Sequence, residues 1–103
     1  PVDNMGKGES FSPTDLLATS MLTCIMTIVA IRADSKEIDV KGMSGSIEKT
    51  MASGPRRVAK LEVVVNLPPG LDIEDRAWLI TEGCNCPVCV SVSESMEVDV
   101  TFQ

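Results

Sequence analysis

The chain has 103 residues, 9 Lys and Arg against 15 Asp and Glu for a net charge of −6, and 44% hydrophobic residues. That much apolar surface excludes a disordered chain, and the length describes a single domain over residues 1–103. An acidic chain with 3% aromatics and no Tyr offers nothing to a phosphate backbone or stacked bases, so nucleic acid is excluded as a partner. His is absent too, so any chemistry runs on thiols, carboxylates, amines, guanidinium groups or hydroxyls. A folded monomer of this size would expose roughly 5,600 Å², which leaves it a thin core.

The opening, Pro1 to Ser10, is polar and glycine-bearing, has no initiator Met, and reads as the middle of a protein. A helix start follows, with Ser12 as N-cap, Pro13 at the first helical position and Asp15 at the third, where its carboxylate can accept the Ser12 amide. From Leu16 to Ile31 nearly every position is apolar or a small hydroxyl. This run falls short of the roughly 20 apolar residues of a spanning helix and lacks the cationic flank and cleavage site of a signal peptide. It is therefore expected as a buried helix running to about Arg32, with no membrane partner and a cytoplasmic location.

Asp39 to Met51 alternates loosely, and Val58 to Leu67 alternates cleanly with Ala59, Leu61, Val63, Val65 and Leu67 on one face. With the turn at Ala52-Ser53-Gly54-Pro55, the two segments predict an antiparallel hairpin. After Pro68-Pro69-Gly70, Asp72 caps a short helix whose buried stripe is expected to be Ile73, Ala77, Ile80 and Cys84, with Gly83 ending it. Val88, Val90 and Val92 alternate as in a strand, but Cys86-Pro87 suits an N-cap followed by the first residue of a helix. Such a helix would aim its free amides at the Cys86 sulfur and lower the thiol's pKa. Met96, Val98, Val100 and Phe102 then face inward on a terminal strand.

Four cysteines exceed what packing requires, and Cys84, Cys86 and Cys89 crowd a Pro-containing turn. Taken alone, Cys24 suits packing in its apolar helix, although Ser20, Thr23 and Thr27 around it suggest a small polar-lined pocket. Cys84 falls on the expected apolar stripe and reads as structural. Zinc is disfavoured because the C-x-C-x-x-C cluster has no second pair, and its fourth ligand would come from mid-helix. Cys86 and Cys89 form a C-x-x-C pair at a helix start, but without the strand and Trp-Cys context of thioredoxin. No metal and no other cofactor is expected.

Ser12-Pro13-Thr14-Asp15-Leu16-Leu17-Ala18 leading to Cys24, Gly54-Pro55-Arg56-Arg57 opening a strand, and Cys86-Pro87-Val88 before the last strand resemble the OsmC/Ohr family of osmotically inducible and organic hydroperoxide resistance proteins. The resemblance covers about residues 3 to 103. It implies a two-layer α+β fold with an antiparallel sheet packed on central helices in an intertwined homodimer, and N-terminal strands that this chain lacks. It also implies thiol-based reduction of organic hydroperoxides in stress defence, with Cys24 attacking, Cys86 resolving and a dithiol reductant restoring both. An apolar pocket of Met21, Met26 and Ile28 would favour organic peroxides.

Three departures stand against the family pattern. The hydroperoxide-resistance branch pairs an acid directly after the Pro with an N-terminal Arg, and that position is Thr14 here. Arg56 or Arg57 is then the remaining source of positive charge. Cys89 is an alternative resolving thiol, and Cys84 an extra one. The other reading is a non-catalytic OsmC-like module that binds thiols or small ligands.

Overall fold

The computed structural model describes residues 12–103. Helix α1 (Pro13–Ser35) begins as the sequence predicts: the Ser12 hydroxyl accepts the Asp15 N–H, and the Asp15 carboxylate accepts the Ser12 N–H, both at 3.1 Å. Its 23 residues extend past the apolar run and reach the length and composition of a membrane-spanning helix. The line Ala18, Met21, Ile25, Val29, Ala33 is nevertheless buried against protein. The helix stops at Glu37, where φ is +55°. The Ile38 N–H reaches Ala33 O at 2.8 Å and the Glu37 N–H reaches Asp34 O at 3.1 Å, the paired bonds of a Schellman cap.

Strands β1 (Ser44–Ala52) and β2 (Arg57–Asn66) form the expected antiparallel hairpin, with β1 starting later than the alternation suggested. The pairing jumps from Thr50↔Lys60 to Met51↔Val58, which leaves Ala59 as an extra residue in a bulge. This corrects the expected inner face of β2: Val58, not Ala59, joins Leu61, Val63 and Val65 in the core.

Helix α2 (Ile73–Cys84) follows, and its expected stripe is also corrected. Ile73 is 86% exposed, Ala77 and Cys84 are exposed, and the buried positions are Leu79 and Gly83. The close approach of α1 and of the last strand explains the rotation. A Cβ on Gly83 would lie 2.9 Å from Val29 Cγ2 and 3.1 Å from Phe102 Cζ. Gly83 is thus a contact glycine inside the helix, not its terminator. Asp72 occupies the N-cap without a side-chain bond.

Helix α3 (Pro87–Ser91) starts at the Cys86-Pro87 pair, and strand β3 (Glu97–Phe102) turns Val98, Val100 and Phe102 inward. β3 pairs with β2 in parallel, so the expected all-antiparallel sheet is a mixed one of order β1-β2-β3. The reason is topological: two helices separate β2 from β3, and a helical crossover returns the chain in the same direction. The Gln103 N–H to Val65 O and the Leu67 N–H to Gln103 O, both at 2.8 Å, continue this pairing.

The result is the α+β class expected, with α1 laid across one face of the sheet. Its first half packs Ala18, Met21 and Ile25 on Val58, Leu61, Val63, Val65 and Cys86. Its second half packs Val29 and Ala33 on Leu67 and Leu79. Gly45 lets β1 approach α1, since a Cβ there would come within 2.9 Å of both Leu22 Cδ1 and Met26 Sδ.

Candidate functional site

The N-terminal end of α3 meets the middle of α1, and this brings three of the four cysteines together. Cys86, fully buried at the N-cap, accepts the Cys89 backbone N–H at 3.4 Å. The Cys86 thiol contacts the Cys89 sulfur at 2.9 Å, and the Cys89 thiol in turn contacts Met21 Sδ at 3.2 Å. On α1, half-buried Cys24 faces the same group, beside the Val88 backbone N–H and the Cys86 side chain. Cys84 sits outside, exposed at the end of α2.

The electrostatics differ from one sulfur to the next. Burial pushes the Cys24 thiol above its ordinary value; the Val88 N–H opposes this, and the neighbouring Cys86 adds to it. Burial first, and then the Cys86, Cys24 and Cys84 sulfurs, push the Cys89 thiol up to about 12. Burial and Cys86 raise the Cys84 thiol as well. The helix-start amides that the sequence assigned to Cys86 are therefore shared: Cys89 N–H serves Cys86 and Val88 N–H serves Cys24.

The expected surroundings of Cys24 are partly corrected. Ser20 Oγ donates to Leu17 O at 2.7 Å and Thr23 Oγ1 to Thr19 O at 2.9 Å, so these hydroxyls are spent on their own helix, and Thr23 and Thr27 are exposed. Met21 and Ile28 lie on the side of Cys24 by helical spacing, whereas Met26 is turned to Gly45 on β1. Among the described residues no group of three or more Cys, Asp or Glu is arranged to hold a metal ion.

The first motif has its own cation, which the sequence reading missed. Lys49 Nζ lies 2.9 Å from Asp15 Oδ1 and donates to Thr14 Oγ1 at 2.6 Å and to Ser12 Oγ at 3.2 Å. The Lys49 hydrogen bond, and next the Ser12 N–H, hold the Asp15 carboxyl below the usual carboxylate range. Alternation along β1 carried the signal, because it places Lys49 on the inward line with Gly45, Ile47 and Met51. The pair ties the start of α1 to the sheet. Asp15 lies about 13.5 Å along the helix axis from Cys24, the rise of nine residues. Arg56 is exposed in the β1–β2 turn, and Arg57 Nη1 donates to Pro55 O at 3.2 Å.

The fold is shared with known proteins. The family model described as OsmC-like protein matches residues 6–101. A Psychrobacter arcticus protein described as osmotic stress induced and a detoxification response protein is 40% identical, with a TM-score of 0.92 over 100% of this chain and 75% of its own. An organic hydroperoxide resistance protein from Elizabethkingia anophelis matches at 19% identity and a TM-score of 0.81, over 100% of this chain and 76% of its own. One from Legionella pneumophila matches at 20% and 0.75, over 100% and 77%. No curated protein matches the chain. With the family match spanning nearly its whole length, the chain belongs to the OsmC-like family.

Proposed function

We propose that the chain is a cytoplasmic, thiol-dependent peroxidase that reduces organic hydroperoxides through Cys24 and Cys86, works as a homodimer and is recharged by a dithiol. One observation carries this reading: Cys24 packs in one cluster with Cys86 and Val88 and is close enough to Cys86 for each thiol to feel the other. Two structural relatives named for organic hydroperoxide resistance support the substrate class.

The Cys24 thiolate attacks the terminal oxygen of ROOH, the O–O bond breaks, and the alkoxide leaves as ROH after taking a proton; Cys24 becomes a sulfenic acid. Cys86 then attacks the sulfenic sulfur and expels water, which gives a Cys24–Cys86 disulfide. The Val88 N–H stabilises charge on Cys24, and the adjacent Cys86 captures the sulfenic acid before a second peroxide does.

The raised pKa of Cys24 favours a second reading, a non-catalytic thiol or ligand-binding module. Mixing the reduced chain with one equivalent of an organic hydroperoxide separates the two. Loss of two free thiols per chain, abolished by Cys24→Ser, is the expected result; no thiol loss leaves the binding module.

A further inference from the structure

The Cys24–Cys86 reaction leaves Cys89 unused, yet its Sγ is 2.9 Å from Cys86 Sγ, nearer than a structural thiol needs to be. Cys86 and Cys89 occupy the N-cap and the third position of α3, a spacing that sets their Cα atoms about 5 Å apart, inside the range a disulfide requires. Cys24 also neighbours Cys86, so the three sulfurs share one cluster between α1 and α3.

Building on the proposed peroxidase reading, we propose that Cys89 is a third redox residue: it attacks Cys86 in the Cys24–Cys86 disulfide, returns Cys24 as a free thiol and leaves the oxidised chain as a Cys86–Cys89 disulfide. The exchange balances without any further oxidant. The Cys89 thiol gives up its proton, its sulfur bonds to Cys86, the Cys24–Cys86 bond breaks, and Cys24 takes up a proton. One disulfide is consumed and one formed. A dithiol reductant of the kind the cycle already requires then reduces the C-x-x-C disulfide.

The surroundings of Cys89 give the exchange its order. Burial first, and then the neighbouring Cys86, hold the Cys89 proton in place. Cys89 has no disulfide to attack until Cys24 and Cys86 join, and at 2.9 Å from Cys86 Sγ it is already in place for that attack. Until then its thiol rests against Met21 Sδ and Cys86 Sγ. The attacking residue is thereby cleared for the next peroxide before the reductant arrives.

The test is a time course on the wild-type chain with one equivalent of cumene hydroperoxide. Samples are quenched in acid, alkylated and mapped by mass spectrometry. The Cys24–Cys86 link is expected to rise first and decay as a Cys86–Cys89 link replaces it, with Cys24 alkylated again at the end point in most molecules. Cys89→Ser is expected to stop at the Cys24–Cys86 link. Two results overturn the relay and leave the peroxidase reading standing: a wild-type end point of Cys24–Cys86 with Cys89 alkylated, or a Cys86–Cys89 link formed equally fast in Cys24→Ser. If no thiol is lost, the peroxidase reading itself fails and the relay fails with it.

Discussion

At Cys24 two local effects oppose each other: burial in the α1–α3 contact raises the thiol, and the Val88 N–H favours its charged form. Burial dominates, so the thiolate is a minor species near neutrality and the step with hydroperoxide should quicken with pH. The single-turnover rate with an organic hydroperoxide is expected to climb about tenfold per pH unit from pH 7 to beyond 9, as the thiolate fraction does. A rate flat over that span would show an activated thiolate instead. Cys89 carries the same sign into stability. Its folded pKa of about 12 exceeds the ordinary 9.0, so between those values the folded chain holds a proton that the unfolded chain has lost. Unfolding measured by circular dichroism should show stability falling as pH rises through that window, with a shallower fall in Cys89→Ser.

Elements were legible where a local rule decides them. Ser12-Pro13 and Cys86-Pro87 each open a helix because the side chain before Pro captures a free amide. The β2 face and the α2 stripe were misread because they are set by contacts distant in sequence, namely the bulge at Ala59 and the fit of Gly83 between Val29 and Phe102. The parallel return of β3 was available in the strand–helix–strand order but hidden behind the hairpin pattern. The meeting of Cys24 with Cys86 followed from motif resemblance, whereas the place of Lys49 required the register of β1. Gly83→Ala would gain about 1 kcal/mol of helix propensity, yet its Cβ meets a stiff Val methyl and a ring edge, so a net loss of about 1–2 kcal/mol is expected in denaturant unfolding. At the end of α1, Glu37 adopts the left-handed conformation that favours Gly. Glu37→Gly should stabilise by roughly 0.5–1 kcal/mol in the same assay.

Taken whole, the chain exposes 6604 Å², against roughly 5,600 Å² for a compact monomer of 11.0 kDa. Part of the excess lies on α1, where Leu17, Cys24 and Ile31 recur every seven residues along one line and the two flanking residues are 37% and 56% exposed. Covering that line with a second copy would bury apolar surface and close the site around Cys24 in one step. Light scattering is expected to give a mass of twice 11.0 kDa, and Ile31→Glu to shift it toward the single chain. A wild-type mass of one chain would remove the dimer from the account.

The central claim is that Cys24 and Cys86 turn over organic hydroperoxide. Its most direct test is peroxide consumption with excess dithiothreitol, comparing the wild-type chain with Cys24→Ser and Cys86→Ser. The wild-type chain is expected to consume many equivalents at a rate at least about 100-fold above Cys24→Ser, with Cys86→Ser inactivating through overoxidation of Cys24. Consumption by the wild type no faster than by Cys24→Ser would contradict it.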